Sequence, residues 1–134
     1  MFRTLIVDDE PIARRVLRDE LAAYSDIEIV AEADDGVSAV GLVHQLAPDL
    51  VFLDLQMPRM SGFDVIQAVR STTATIVVVT ACKDGALSAL GAGAAAYLLK
   101  PVNPTCLRVI LARVRRQFEL QGAAKDISAG PATG

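Results

Sequence analysis

The feature that most constrains this chain is a regular alternation of short apolar runs with segments of helical period. "TLIV" (Thr4–Val7), "LVFLD" (Leu50–Asp54) and "TIVVVT" (Thr75–Thr80) are brief, continuous and rich in branched side chains, as expected of strands buried on both faces. "IEIVAEA" (Ile27–Ala33) alternates more cleanly and predicts a strand nearer a sheet edge, while "AAYLLK" (Ala95–Lys100) reads as a fifth strand.

Between the strands the apolar period lengthens to that of a helix. After Pro11, which suits a first helical turn, Ala13, Val16, Leu17 and Leu21 share one face. A second helix is predicted over Val37–Leu46 and stopped by Pro48, and a third over Ser61–Ser71. A fourth, "DGALSALGAGA" (Asp84–Ala94), is weakened by Gly85, Gly91 and Gly93. Each interior glycine costs about 0.5–1 kcal/mol relative to alanine. The last carries Leu107, Ile110, Leu111, Val114 and Phe118 on one face. Strands alternating with helices in this way imply a parallel α/β sheet covered on both sides. One domain is expected over residues 1–121, and "GAAKDISAGPATG" (122–134), small and polar, reads as a disordered tail or the start of a linker.

Composition removes several classes of function. The formal net charge of −3 points to neither nucleic acid nor an anionic membrane surface. Hydrophobic residues make up 52% of the chain, yet no apolar run approaches the ~20 residues of a membrane helix. "MFRTLIVDDE" meets acidic residues too early for a cleavable signal peptide. His44, expected on the surface, is the sole histidine, which rules out Ser-His-Asp and Cys-His catalysis. Cys82 and Cys106 lack metal-ligand spacing and read as cytosolic thiols. Arg108, Arg113, Arg115 and Arg116 have no aromatic interleaving and read as a solvated helix face with salt links rather than a nucleic-acid surface.

Ligands of open α/β sheets bind beyond the carboxyl ends of the strands, and the polar residues that interrupt the apolar runs fall there. Asp8 and Asp9 follow strand 1, Asp54 ends strand 3, Thr80 ends strand 4 and Lys100 ends strand 5. Taken singly each has a plain structural reading: helix capping for the Asp pair, a branched strand residue for Thr80, a solvated Lys100. Together they place three carboxylates, a hydroxyl and an ammonium on one rim. Neighbouring carboxylates repel unless a cation compensates, and Mg²⁺ prefers such oxygen ligands. Lys100 would pair with phosphoryl oxygens, and Thr80 would donate one hydrogen bond to the same group. The set fits phosphoryl transfer to an aspartate, a recognised covalent role of carboxylates.

"LIVDDEP", "LVFLDLQMPRMSG", "VVVTA" and "YLLKPV" resemble the response-regulator receiver domains of two-component signalling, and the likeness covers roughly residues 3–120. It implies a doubly wound, flavodoxin-like sheet of five parallel strands in the order 2-1-3-4-5. It further implies Asp54 as phosphoacceptor, Mg²⁺ held by Asp8, Asp9, Asp54 and the backbone carbonyl of Gln56, and phosphoryl contacts from Thr80 and Lys100. Tyr97 would be the aromatic partner of Thr80 in a switch, Lys100-Pro101 a cis peptide, and Ala81 the small residue leaving room for the donor. Gln56 and Cys82 occupy positions that tune phosphoryl lifetime in the family.

The implied partners are a sensor histidine kinase and, through the face formed by helix 4, strand 5 and helix 5, an output or a second copy. The implied location is the cytoplasm. "IVDDEPIARRVLRDEL" and "FLDLQMP" are similar to receivers joined to LytTR-type DNA-binding domains, but "TACKDGALSALGAG" lacks the aromatic residues common in that subgroup. Two alternatives stand beside this reading. A haloacid-dehalogenase-like phosphatase also uses a nucleophilic Asp, Mg²⁺ and Lys, but expects an Asp where Gln56 stands. An unphosphorylated pseudo-receiver would act only as a binding module.

Overall fold

The computed structural model describes residues 1–129, with side chains to residue 121. In chain order its elements are β1 (Phe2–Val7), α1 (Pro11–Leu21), β2 (Ile27–Ala33), α2 (Gly36–Leu46), β3 (Leu50–Leu53), α3 (Gly62–Ala68), β4 (Thr75–Thr80), α4 (Lys83–Ala92), β5 (Ala96–Leu99) and α5 (Pro104–Ala129). The strands form one parallel sheet in the order β2-β1-β3-β4-β5, the order expected. The alternating strand β2 is at an edge, whereas the uninterrupted apolar run of β3 is central and buried along its whole length.

Strand side chains alternate between two cores, because successive residues point to opposite faces. Leu5, Val7, Val51, Leu53 and Val78 pack with Ala39 and Val43 of α2, Val65 and Ile66 of α3 and Ala89 of α4. Ile6, Leu50, Phe52, Val77 and Leu98 pack on the other face with Leu17 and Leu21 of α1 and Leu107, Ile110, Leu111 and Val114 of α5. The chain therefore winds from β1 one way to β2 and the other way through β3, and the direction reverses between β1 and β3.

Three local expectations shift. Helix α3 ends at Ala68 rather than Ser71, because the Thr72 hydroxyl donates to the Val69 carbonyl at 2.7 Å and turns the chain. Gly93 lies outside α4, as its C-cap, with φ of 124°, so it ends the helix instead of weakening its interior. Val16 of α1 is 44% exposed rather than buried, at the mouth of a cavity of about 180 Å³ beside Lys100 and Pro101. Helix α5 continues to Ala129, past the boundary expected at residue 121; the rest of the expected tail, 130–134, lies outside the described residues.

The loop between β3 and α3 is held by close backbone contact. Gly62 donates its N–H to the Leu55 carbonyl at 3.0 Å, and a Cβ at this position would stand 2.5 Å from the Asp54 carbonyl oxygen and 2.7 Å from Leu55 Cα. Neither neighbour is the movable end of a side chain. Gly62→Ala is therefore expected to destabilise the protein by about 1–3 kcal/mol, the usual range for forced overpacking, read as a lower midpoint of urea unfolding. An unchanged midpoint would contradict this packing.

Candidate functional site

The site is assembled by the ends of β1, β3, β4 and β5. The ladder continues one residue beyond two of them: Asp8 N–H donates to Ala33 at 3.1 Å, and Asp54 N–H to Val7 at 2.9 Å. These bonds fix the backbones of both aspartates beside the reversal of strand order. Asp8 and Asp54 are each only 4% exposed. Such burial is uncommon for unpaired carboxylates, and both have partners.

Asp8 Oδ1 accepts the Glu10 N–H at 2.9 Å, and Oδ2 accepts from Lys100 Nζ at 2.8 Å. Asp54 Oδ1 accepts the Gln56 N–H at 3.2 Å, and its Oδ2 lies 3.6 Å from the same ammonium. Glu10 Oε1 is 3.7 Å from it. The plain capping reading of the acidic pair does not hold: Glu10 is at the N-cap of α1, and no side chain makes a cap hydrogen bond there.

Lys100 thus holds the Asp8 and Asp54 carboxylates around a single cation. Burial works against its charge, yet the Asp8 hydrogen bond and the charges of Asp54, Asp8 and Glu10 raise its pKa above the ordinary lysine range. Burial pushes the Asp54 carboxyl up, Asp8 and Asp9 add to the rise, and the Gln56 N–H and Lys100 oppose it. The carboxylates of Asp8, Asp9 and Glu10 can bring one oxygen each within 4.8 Å of one another. Oxygen-only donors in this number suit a hard divalent cation.

Thr80 is fully buried, but its Oγ1 accepts the Cys82 N–H at 3.3 Å and makes no bond to the acidic cluster. It joins the site through the backbone, its carbonyl accepting the Lys100 N–H at 2.9 Å. The Lys100-Pro101 peptide is cis. Tyr97 is half-buried and lines a groove of about 630 Å³ with Leu90, Leu99, Val109 and Arg113. Gln56 is exposed next to Asp54.

Three contributions escaped the sequence reading. Glu10 adds a third acid to the β1–α1 loop, although "DDE" displays it. Cys82 is the N-cap of α4, its Sγ accepting the Gly85 N–H at 3.4 Å; cysteine is not a residue from which a cap is expected. Arg14 donates from Nη1 to the Asp8 carbonyl at 2.7 Å, a contact no linear pattern announces.

Residues 4–112 match the family described as "Response regulator receiver domain". The chain belongs to that family. It is 45% identical over 122 residues to the transcriptional regulatory protein BtsR of Escherichia coli K12, covering 90% of this chain and 51% of BtsR. The chain therefore spans about half the length of the curated relative it matches. The receiver domain of AraT from Geobacillus stearothermophilus superposes with a TM-score of 0.81 at 32% identity, over 90% of this chain and 98% of that one. The receiver domain of NarL from Mycobacterium tuberculosis does so with a TM-score of 0.77 at 32% identity, over 85% and 96%. The chain is thus a receiver module of two-component signalling. Among the described residues, no helix is long and apolar enough to cross a membrane.

The raised pKa of Asp54 has a consequence for stability. A carboxyl with a higher pKa folded than unfolded holds its proton more tightly in the fold, so stability falls as pH rises from the ordinary carboxylate range, near ~4, through the folded value. In chelator, Asp54→Asn is expected to raise the thermal midpoint at pH 7, with the gap to wild type closing as pH falls below that range. A gap that persists or widens in acid would show that the charge is not the destabilising element.

Proposed function

We propose that this receiver accepts a phosphoryl group on Asp54 from a cytoplasmic sensor histidine kinase. The observation that supports this most is the placement of Lys100, with its Nζ 2.8 Å from Asp8 and 3.6 Å from Asp54. An ammonium held between an acceptor carboxylate and a neighbouring acid is positioned to turn toward the oxygens of an arriving phosphoryl group. The Asp54 oxygen attacks phosphorus as the phosphorus–nitrogen bond to the donor imidazole breaks. Water later attacks the same phosphorus, the phosphorus–oxygen bond to Asp54 breaks, and inorganic phosphate leaves with the carboxylate restored. Asp8, Asp9, Asp54 and the Gln56 carbonyl would hold Mg²⁺, with Glu10 at the margin; when bound, the ion supplies neutralisation of charge on the phosphoryl oxygens. In this reading Gln56, exposed two residues beyond Asp54, and Cys82, two residues beyond Thr80, tune the lifetime of the adduct by controlling the access of water.

The switch follows from Thr80. Its hydroxyl leaves the Cys82 N–H for a phosphoryl oxygen, the start of α4 moves with Cys82, and Tyr97 turns inward. The groove between α4, β5 and α5 changes shape as a result, and its exposed Leu90, Leu99 and Val109 meet an output or a second copy of the chain. Control of transcription is the output suggested by the name of the E. coli relative.

Incubation with a small phosphodonor and Mg²⁺ is expected to add the mass of one phosphoryl group to the wild type and none to Asp54→Asn. Steady turnover of phosphomonoesters would favour a phosphatase of the dehalogenase type instead. No adduct and no metal binding would leave a pseudo-receiver. Amide exchange across Asp84–Gly93 is expected to change on adding a phosphoryl analogue, and identical exchange would contradict the switch.

A further inference from the structure

Arg14 is on the first turn of α1, where its N–H bonds to the Glu10 carbonyl at 3.1 Å. Its guanidinium reaches in two directions. Nη1 donates to the backbone carbonyl of Asp8 at 2.7 Å, and Nε lies 3.4 Å from Glu32 Oε1 on β2. The two side chains are 19% and 24% exposed, so the contact is partly shielded from water. Arg18, one turn further on, takes the other Glu32 oxygen at 2.6 Å from a more exposed position. One carboxylate is therefore shared by two arginines, and only Arg14 goes on to touch the acidic loop.

Within that loop the Glu10 N–H is held by Asp8 Oδ1 at 2.9 Å, which leaves the Asp8–Asp9 peptide itself to be fixed from outside. Asp8 N–H makes the final ladder bond, Pro11 opens the helix without an N–H, and the Asp8 carbonyl belongs to neither element. The Asp8–Asp9 peptide plane sets the direction in which the Asp9 side chain leaves the backbone. Arg14 bonds to that plane.

We propose that Arg14 is a positioning residue for the cation site: anchored by Glu32, it fixes the Asp8–Asp9 peptide and so holds the two carboxylates in register for a divalent cation. The inference rests on the reading of Asp8 and Asp9 as Mg²⁺ ligands. A guanidinium can span both partners because its donors are separated and planar, whereas a lysine ammonium is a single point. Geometry and charge then predict opposite results. If Arg14 acted only as a nearby positive charge, Arg14→Gln would tighten Mg²⁺ binding and Arg14→Lys would leave it unchanged. As a brace, both substitutions weaken binding, by roughly tenfold, the lower end of the effect of removing groups that orient metal ligands.

The test is calorimetric titration of the chain with Mg²⁺ alone, without phosphodonor, with thermal unfolding in chelator as the check on folding. Arg14→Lys and Arg14→Gln are expected to bind roughly tenfold more weakly than wild type. Arg18→Gln, which loses the same ion-pair partner without touching Asp8, is expected to bind as wild type does. Glu32→Gln, which removes the anchor of Arg14, is expected to weaken binding, and its contrast with Arg18→Gln decides the matter should the Arg14 variants not fold. Wild-type or tighter binding by folded Arg14 variants would overturn the proposal, as would an equal loss in Arg18→Gln. Absence of Mg²⁺ binding by the wild type would overturn the metal reading itself, and the brace with it.

Discussion

Two buried carboxylates from the adjacent ends of β1 and β3, and one ammonium from the end of β5, set the terms for this structure. Asp8 and Asp54 would repel each other strongly in a site shielded from water, and charges cannot be buried there without partners. Lys100 meets that need, reaching across from the end of β5 to hydrogen-bond Asp8 at 2.8 Å and approach Asp54 at 3.6 Å. The arrangement is compensated but not complete. Burial and the neighbouring acids still raise the Asp54 pKa, so further positive charge beside it would favour its ionised form.

The rest of the fold keeps those three groups in place. A parallel sheet with its order reversing between β1 and β3 puts the last residues of both strands side by side, and the ladder bonds at Asp8 and Asp54 extend that alignment into the site. Close packing of Gly62 under Leu55 then sets the path of the chain leaving Asp54. The Thr80 carbonyl ties β4 to the backbone of Lys100, so a movement at Thr80 has a direct route to both the lysine and, through Cys82, the start of α4. The acidic rim therefore lies next to α4, whose C-terminus is set by Gly93 at a φ of 124°.

Much of this was legible in linear order. The apolar runs of β1, β3 and β4 announced a sheet covered on both faces, the alternation of β2 placed it at an edge, and the polar residues closing four runs marked the rim. The sheet order and the cis Lys100-Pro101 peptide came from the family resemblance, since neither follows from periodicity. Contacts between segments distant in sequence were not legible. Arg14 looks like any charged residue of an amphipathic helix until Asp8 and Glu32 are brought to it, and Cys82 looks like a loop filler until Gly85 turns its N–H back. The early end of α3 depended on one threonine hydroxyl competing for a carbonyl, a local choice that apolar spacing does not report. Val16 followed the helical period faithfully but faces a cavity rather than a packed neighbour.

Asp54 is the proposed acceptor although three other acids, Asp8, Asp9 and Glu10, lie in the same cluster. Reduction of the phosphorylated chain with borohydride converts an aspartyl phosphate to homoserine, and fragmentation of the peptides then identifies the position. Conversion confined to Asp54 is the expected result. Conversion at Asp8, Asp9 or Glu10, with Asp54 unaltered, would contradict the assignment of roles around Lys100.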